Sequence, residues 1–145
     1  MIIINKRNLF FLISVWLLST LLSAQNVTIS TPQTQLLLSV PNGGTPEQLY
    51  YGSRTSDADI RSICETACRR NAYPVYGMGY PCETALSVRH ADGNLTLQMA
   101  VIGVKETRLT KENATLTVIE LKDKVYPFFV NICYKAWQDA DVIET

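Results

Sequence analysis

Apolar and polar residues alternate with period two along much of this chain, the repeat that sets one face of a β-strand against a core and the other toward water. The alternation is strongest from Phe128 to Trp137. There Phe128, Val130, Ile132, Tyr134 and Ala136 fall on one face, and Phe129, Asn131, Cys133, Lys135 and Trp137 on the other. In a second run Leu95, Leu97, Met99 and Val101 alternate with Thr96, Gln98 and Ala100. In a third, Leu116, Val118 and Glu120 oppose Thr115, Thr117, Ile119 and Leu121, which predicts a strand wetter on one side. The first of these runs is rich in aromatic and β-branched residues, which fit a pleated, packed surface. Polar turn signals separate them. Pro41-Asn42-Gly43-Gly44 ends an early strand around Leu36 to Val40, and Lys111-Glu112-Asn113 and Lys122-Asp123-Lys124 punctuate the later ones. Ala91-Asp92-Gly93-Asn94 predicts a hairpin between strands at Ala85–His90 and Leu95–Val104, because Asp-Gly favours the tight turn a hairpin needs. Short strands divided by polar turns predict an all-β fold, an antiparallel β-sandwich.

Two stretches depart from this rhythm. Ser56 to Arg70 opens with aspartates and spaces Ile60, Ile63 and Ala67 three or four apart, so it reads as a short helix or an irregular insertion. Before Gln25, Lys6 and Arg7 precede an apolar run from Leu9 to Leu22, and Leu22-Ser23-Ala24 offers a small-residue cleavage site. That order predicts a signal peptide over residues 1–24 and an exported β-sandwich domain over 25–145, in the periplasm or outside the cell. The run is shorter than the ~20 apolar residues of a spanning helix, so no membrane association is expected after cleavage.

Charge narrows the partners. The chain has 13 basic and 13 acidic residues, and loss of Lys6 and Arg7 leaves 11 against 13. A slightly acidic domain without a basic stripe is not expected to bind nucleic acid. Cys64, Cys68, Cys82 and Cys133 all lie in the exported part. They are candidates for two disulfides in an oxidising compartment, or else buried thiols. Their spacing lacks the paired knuckles of a zinc site, and no metal or cofactor is expected.

Catalytic chemistry is scarce. The single histidine, His90, flanks a turn, and nothing in the spacing supplies it with a nucleophile and an orienting acid. The aspartates are dispersed, without a pair marked to face each other across a sugar. The loop Tyr73-Pro74-Val75-Tyr76-Gly77-Met78-Gly79-Tyr80-Pro81 is more informative. Tyrosine rings pack on the apolar faces of sugars while their hydroxyls hydrogen-bond, so Tyr76 and Tyr80 are candidates to line a carbohydrate pocket. The structural alternative is that the tyrosines fold inward and staple the loop to the sandwich.

Several segments in series also resemble the amino-terminal domain of family 36 glycoside hydrolases, chiefly α-galactosidases. They are Leu49-Tyr50-Tyr51-Gly52, Tyr73-Pro74-Val75-Tyr76-Gly77, the run from Glu83 to Asn94, the run from Ile119 to Pro127, and Asp141-Val142-Ile143-Glu144-Thr145. The resemblance implies the first part of a large β-sandwich packed on a catalytic (β/α) barrel that carries two aspartates. No position here matches those aspartates, so no catalytic residue is carried over. Family members continue past the position of Thr145, which implies a partial sandwich and a sugar partner, galactoside-type, bound through a barrel absent from this chain. In some members a loop of this domain reaches the sugar pocket of its own or a neighbouring subunit, which implies a homo-oligomer for the full-length enzyme. Thr55 to Arg70 matches no family motif. The rival expectation is a free-standing carbohydrate-binding or interaction module.

Overall fold

The computed structural model describes residues 25–145; the expected signal peptide lies outside the described residues. Two four-stranded antiparallel sheets make up the fold. The first contains β1 (Gln25–Ser30), β2 (Thr34–Val40), β3 (Glu47–Ser53) and β4 (Arg70–Asn71), and the second β5 (Met99–Leu109), β6 (Ala114–Asp123), β7 (Phe129–Trp137) and β8 (Ile143–Glu144). Each sheet is a meander in sequence order, so its pairings are local and its register is set by short turns. The expected β-sandwich is the observed one.

Alternation decides what lies between the sheets. Val27 and Ile29 of β1, with Leu36, Leu38 and Val40 of β2, face Met99 and Val101 of β5, Ile119 and Leu121 of β6, and Ile132, Tyr134 and Ala136 of β7. The inward set of β7 is the one its sequence predicts, and Cys133 between Ile132 and Tyr134 lies on the outer face. Main-chain bonds also tie the sheets at one end. Gly43 N donates to Val101 O and Val101 N donates to Gly44 O, each at 2.8 Å. At the opposite end the Asp141 carboxylate accepts from the hydroxyls of Thr31 and Thr34 and from Thr34 N. Those three donors hold its carboxyl below the ordinary aspartate range, the Thr31 hydroxyl contributing most.

The segment from Ser56 to Arg70 contains a helix, α1 (Asp57–Thr66). Ser56 caps it by accepting from Asp59 N at 3.3 Å, and Asp57 and Asp59 place negative charge in the first turn, where the helix dipole favours it. The insertion covers the outer face of the first sheet. Arg69 donates to Ser39 Oγ at 3.3 Å and pairs with Glu47 at 2.9 Å, while Asn26 donates to the Cys64 sulfur at 3.2 Å. Gln35, Leu37 and Ser39 are therefore buried although they point away from the sandwich interior.

One expectation is corrected. The turn at Ala91–Asn94 is present, with His90 N donating to Asn94 O and Gly93 N to His90 O, each at 2.9 Å. The strands expected on either side of it are not. Ala85–His90 makes only a single parallel bridge, Leu86 with Val75, and the later strand starts at Met99 rather than Leu95. The donors a ladder would have used go elsewhere. Asn94 N bonds to Asp92 Oδ1, Thr96 N to Asn94 Oδ1 and Gln98 N to Asp123 Oδ2, and Leu97 N bonds to Tyr76 O. Side chains and an irregular loop satisfy this backbone without a strand partner.

Among the described residues no helix is long and apolar enough to cross a membrane.

Candidate functional site

The long connection from Ala72 to Gln98 collects at the end of the sandwich where the Pro41–Gly44 turn and the β6–β7 turn also lie, because all three join strands at that end. Asp123 organises this end. Its Oδ1 accepts from Val125 N at 2.7 Å and Tyr126 N at 2.9 Å, and its Oδ2 from Gln98 N at 2.8 Å. The residue is 1% exposed. Burial by itself pushes the carboxyl upward, but the three N–H donors together overcome it and hold Asp123 below the ordinary aspartate range. One side chain thus shapes the β6–β7 turn and fixes the strand entering β5.

The tyrosine loop is anchored by its backbone and by Val75, which is fully buried. Ala85 N donates to Pro74 O at 2.8 Å, Leu97 N to Tyr76 O at 3.0 Å, and Tyr73 N to Asn71 Oδ1 at 3.0 Å. Gly77 follows at φ +94°, where an added Cβ would lie 2.4 Å from Thr96 Cγ2, so only glycine lets the loop approach Thr96. The three tyrosines divide. Tyr73 packs against the core, whereas Tyr76 and Tyr80 are 50% and 46% exposed. A hollow of about 270 Å³ at this end is lined by Gly77 and Met78 of the loop with Gly44, Thr45, Gln98, Met99 and Lys124, and its lining includes neither Tyr76 nor Tyr80.

A second cluster at this end joins the 90–94 turn to the β6–β7 turn. The His90 ring stacks on Tyr126, centroids 3.6 Å apart and planes within 10°, and meets Phe128 edge-on at 6.3 Å. Tyr126 donates its hydroxyl proton to Asp92 Oδ2 at 2.6 Å and accepts from Asn94 Nδ2 at 2.9 Å. The Tyr126 hydroxyl, then Asn94 N, keep the Asp92 carboxyl below its ordinary range, and the same bond to Asp92 raises the Tyr126 phenol. His90 Nε2 is buried and meets no hydrogen-bond partner among the described residues. A hollow of about 370 Å³ opens here, lined by His90, Ala91, Asp92, Tyr126, Pro127 and Phe128. Sequence spacing does not mark this cluster, since its halves are more than thirty residues apart. The one local signal is Asp123 before Val125 and Tyr126, the arrangement in which an aspartate folds back on its own backbone.

The four cysteines are unlinked in this structure, Cys64 half-buried and Cys68, Cys82 and Cys133 exposed. Among the described residues no three His, Cys, Asp or Glu side chains stand close enough to hold a metal ion.

Comparison with known proteins adds the family context. The glycosyl hydrolase family 36 N-terminal domain matches residues 44–145, more than half of the chain. No curated protein matches it in sequence. Among solved structures, the α-galactosidase from Lactobacillus brevis superposes with a TM-score of 0.70 at 16% identity, covering 83% of this chain and 20% of that one. The family 36 α-galactosidase AgaA from Geobacillus stearothermophilus, solved with raffinose, superposes at 0.68 and 16% identity over 82% of this chain and 21% of that one. The galactosidase domain of an α-galactosidase-sucrose kinase gives 0.66 at 18% identity, covering 83% and 21%. At such identities the likeness is one of fold, and this chain spans about one fifth of those proteins.

Proposed function

Because the chain belongs to the glycosyl hydrolase family 36 N-terminal domain family, we propose that it is the amino-terminal β-sandwich of an exported α-galactosidase-like hydrolase. The family match over residues 44–145 carries this reading. In it, hydrolysis of a terminal α-linked galactose belongs to a pair of carboxylates on a separate catalytic barrel. This domain supports the barrel and presents Tyr76 and Tyr80 toward the sugar, in its own or a neighbouring subunit of a homo-oligomer. Two half-exposed rings on a loop anchored at Val75 suit that role, since the anchor fixes the backbone while the rings stay available. The galactoside specificity follows the relatives, one of which is solved with raffinose and another time with stachyose. Export follows from the signal-like residues 1–24.

The test is hydrolysis of p-nitrophenyl α-D-galactopyranoside by the native gene product and by residues 25–145 alone. Turnover is expected from a product that includes the barrel, and none from the segment. A native product without a barrel, or turnover by the segment itself, overturns the reading.

A further inference from the structure

We propose that the hollow between the 90–94 turn and the β6–β7 turn is a second, separate site that binds a neutral pyranoside. It goes beyond the reading above, because it needs neither a barrel nor Tyr76 and Tyr80.

Two observations carry it. The first is size and lining. A hollow of about 370 Å³ lies at the small end of ligand sites, room for one sugar ring, and its lining includes His90, Tyr126, Pro127 and Phe128 beside Ala91 and Asp92. Aromatic walls suit the C–H face of a pyranose. The second is a fixed acceptor. Asp92 is exposed, and each of its oxygens takes one internal bond, Oδ1 from Asn94 N and Oδ2 from the Tyr126 hydroxyl. A carboxylate has about four lone-pair positions, so one remains free on each oxygen, and the pair can accept from two adjacent sugar hydroxyls. The internal bonds hold that carboxylate in place before a ligand arrives.

The same chemistry selects the ligand. A carboxylate in the lining repels uronates and sugar phosphates, so a neutral sugar is favoured over an anionic one. A quaternary ammonium ion also pairs with a carboxylate among aromatic rings, but it requires several ring faces turned inward around it. Here His90 and Tyr126 cover one another's faces and Phe128 meets His90 by its edge. That arrangement leaves a platform and not a cage.

The experiment is titration of the ¹⁵N-labelled full chain, followed by amide shifts, with methyl α-galactoside, methyl α-glucoside, galacturonate and choline as separate probes. The neutral glycosides are expected to shift residues 90–94 and 126–128 with millimolar half-saturation, and galacturonate to bind more weakly. Asp92→Asn keeps an oxygen for Asn94 N and is expected to weaken neutral-glycoside binding about tenfold. Phe128→Leu, which keeps the apolar volume but removes the ring, is expected to weaken it as well. The proposal is overturned by absent shifts in the wild-type chain, by shifts centred on Tyr76 and Tyr80, by a preference for choline, or by affinity that Asp92→Asn leaves unchanged. None of these outcomes bears on whether the chain serves an α-galactosidase, which the hydrolysis assay decides separately.

Discussion

Asp123 carries more of the local architecture than any other polar residue at the loop-bearing end. Replacing it with alanine leaves three main-chain N–H groups, those of Gln98, Val125 and Tyr126, without their acceptor. The expected cost is about 2–4 kcal/mol of stability, measured by urea denaturation at neutral pH. The pH dependence has a definite sign. Asp123 is held below its unfolded value of about 3.9, so its contribution is fully present above that value and is lost as pH falls through the lower folded pKa. Asp123→Asn removes that titration, so the stability gap between wild type and variant should narrow as pH drops below about 4; a gap that stays constant contradicts the assignment. Little of this is legible in the sequence. Lys122-Asp123-Lys124 reads only as a polar turn, and the return of residue 98 to the same carboxylate, through tertiary packing, reveals that its aspartate is buried.

Strands were legible where alternation and pairing coincide. The faces of β6 and β7 follow directly from their sequences, since each has one side on the core and one toward water. Alternation misled from Leu95 to Gln98. An extended segment presents its side chains to opposite sides whether or not it has a strand partner, and here Leu97 is buried without one. It also understated β2, whose outward residues are buried beneath the insertion containing α1. This gives the two outer faces of the sandwich different sensitivities. Leu37→Ala, at a fully buried position on the covered face, is expected to cost about 2–4 kcal/mol. Leu116→Ala, half-exposed on the outer face of the second sheet, should cost about 1 kcal/mol or less. Chemical denaturation of the pair measures the contrast, and equal losses would mean that the insertion does not seal the first sheet.

At the scale of the whole molecule, two sheets packed face to face constrain the cysteines in a way their spacing does not. Cys64 lies over the outer face of the first sheet, beside Asn26, and Cys133 on the outer face of the second. Packed sheets stand ~10 Å apart, and each cysteine lies beyond its own sheet, whereas a disulfide needs Cα atoms within about 7 Å. A bond between Cys64 and Cys133 of one chain is therefore incompatible with the sandwich. The proposed export makes this testable, because an oxidising compartment drives any pair the fold brings together toward a disulfide. Mass spectrometry of the exported protein, digested without reduction, should find an amino terminus at Gln25 and no intrachain Cys64–Cys133 linkage. With an alkylating reagent added before unfolding of residues 25–145, Cys133 should be labelled, since it is exposed among the described residues. An intact amino terminus at Met1 would remove the signal-peptide reading, and an intrachain Cys64–Cys133 bond would contradict the order of layers from which the loop-bearing end of the molecule is built.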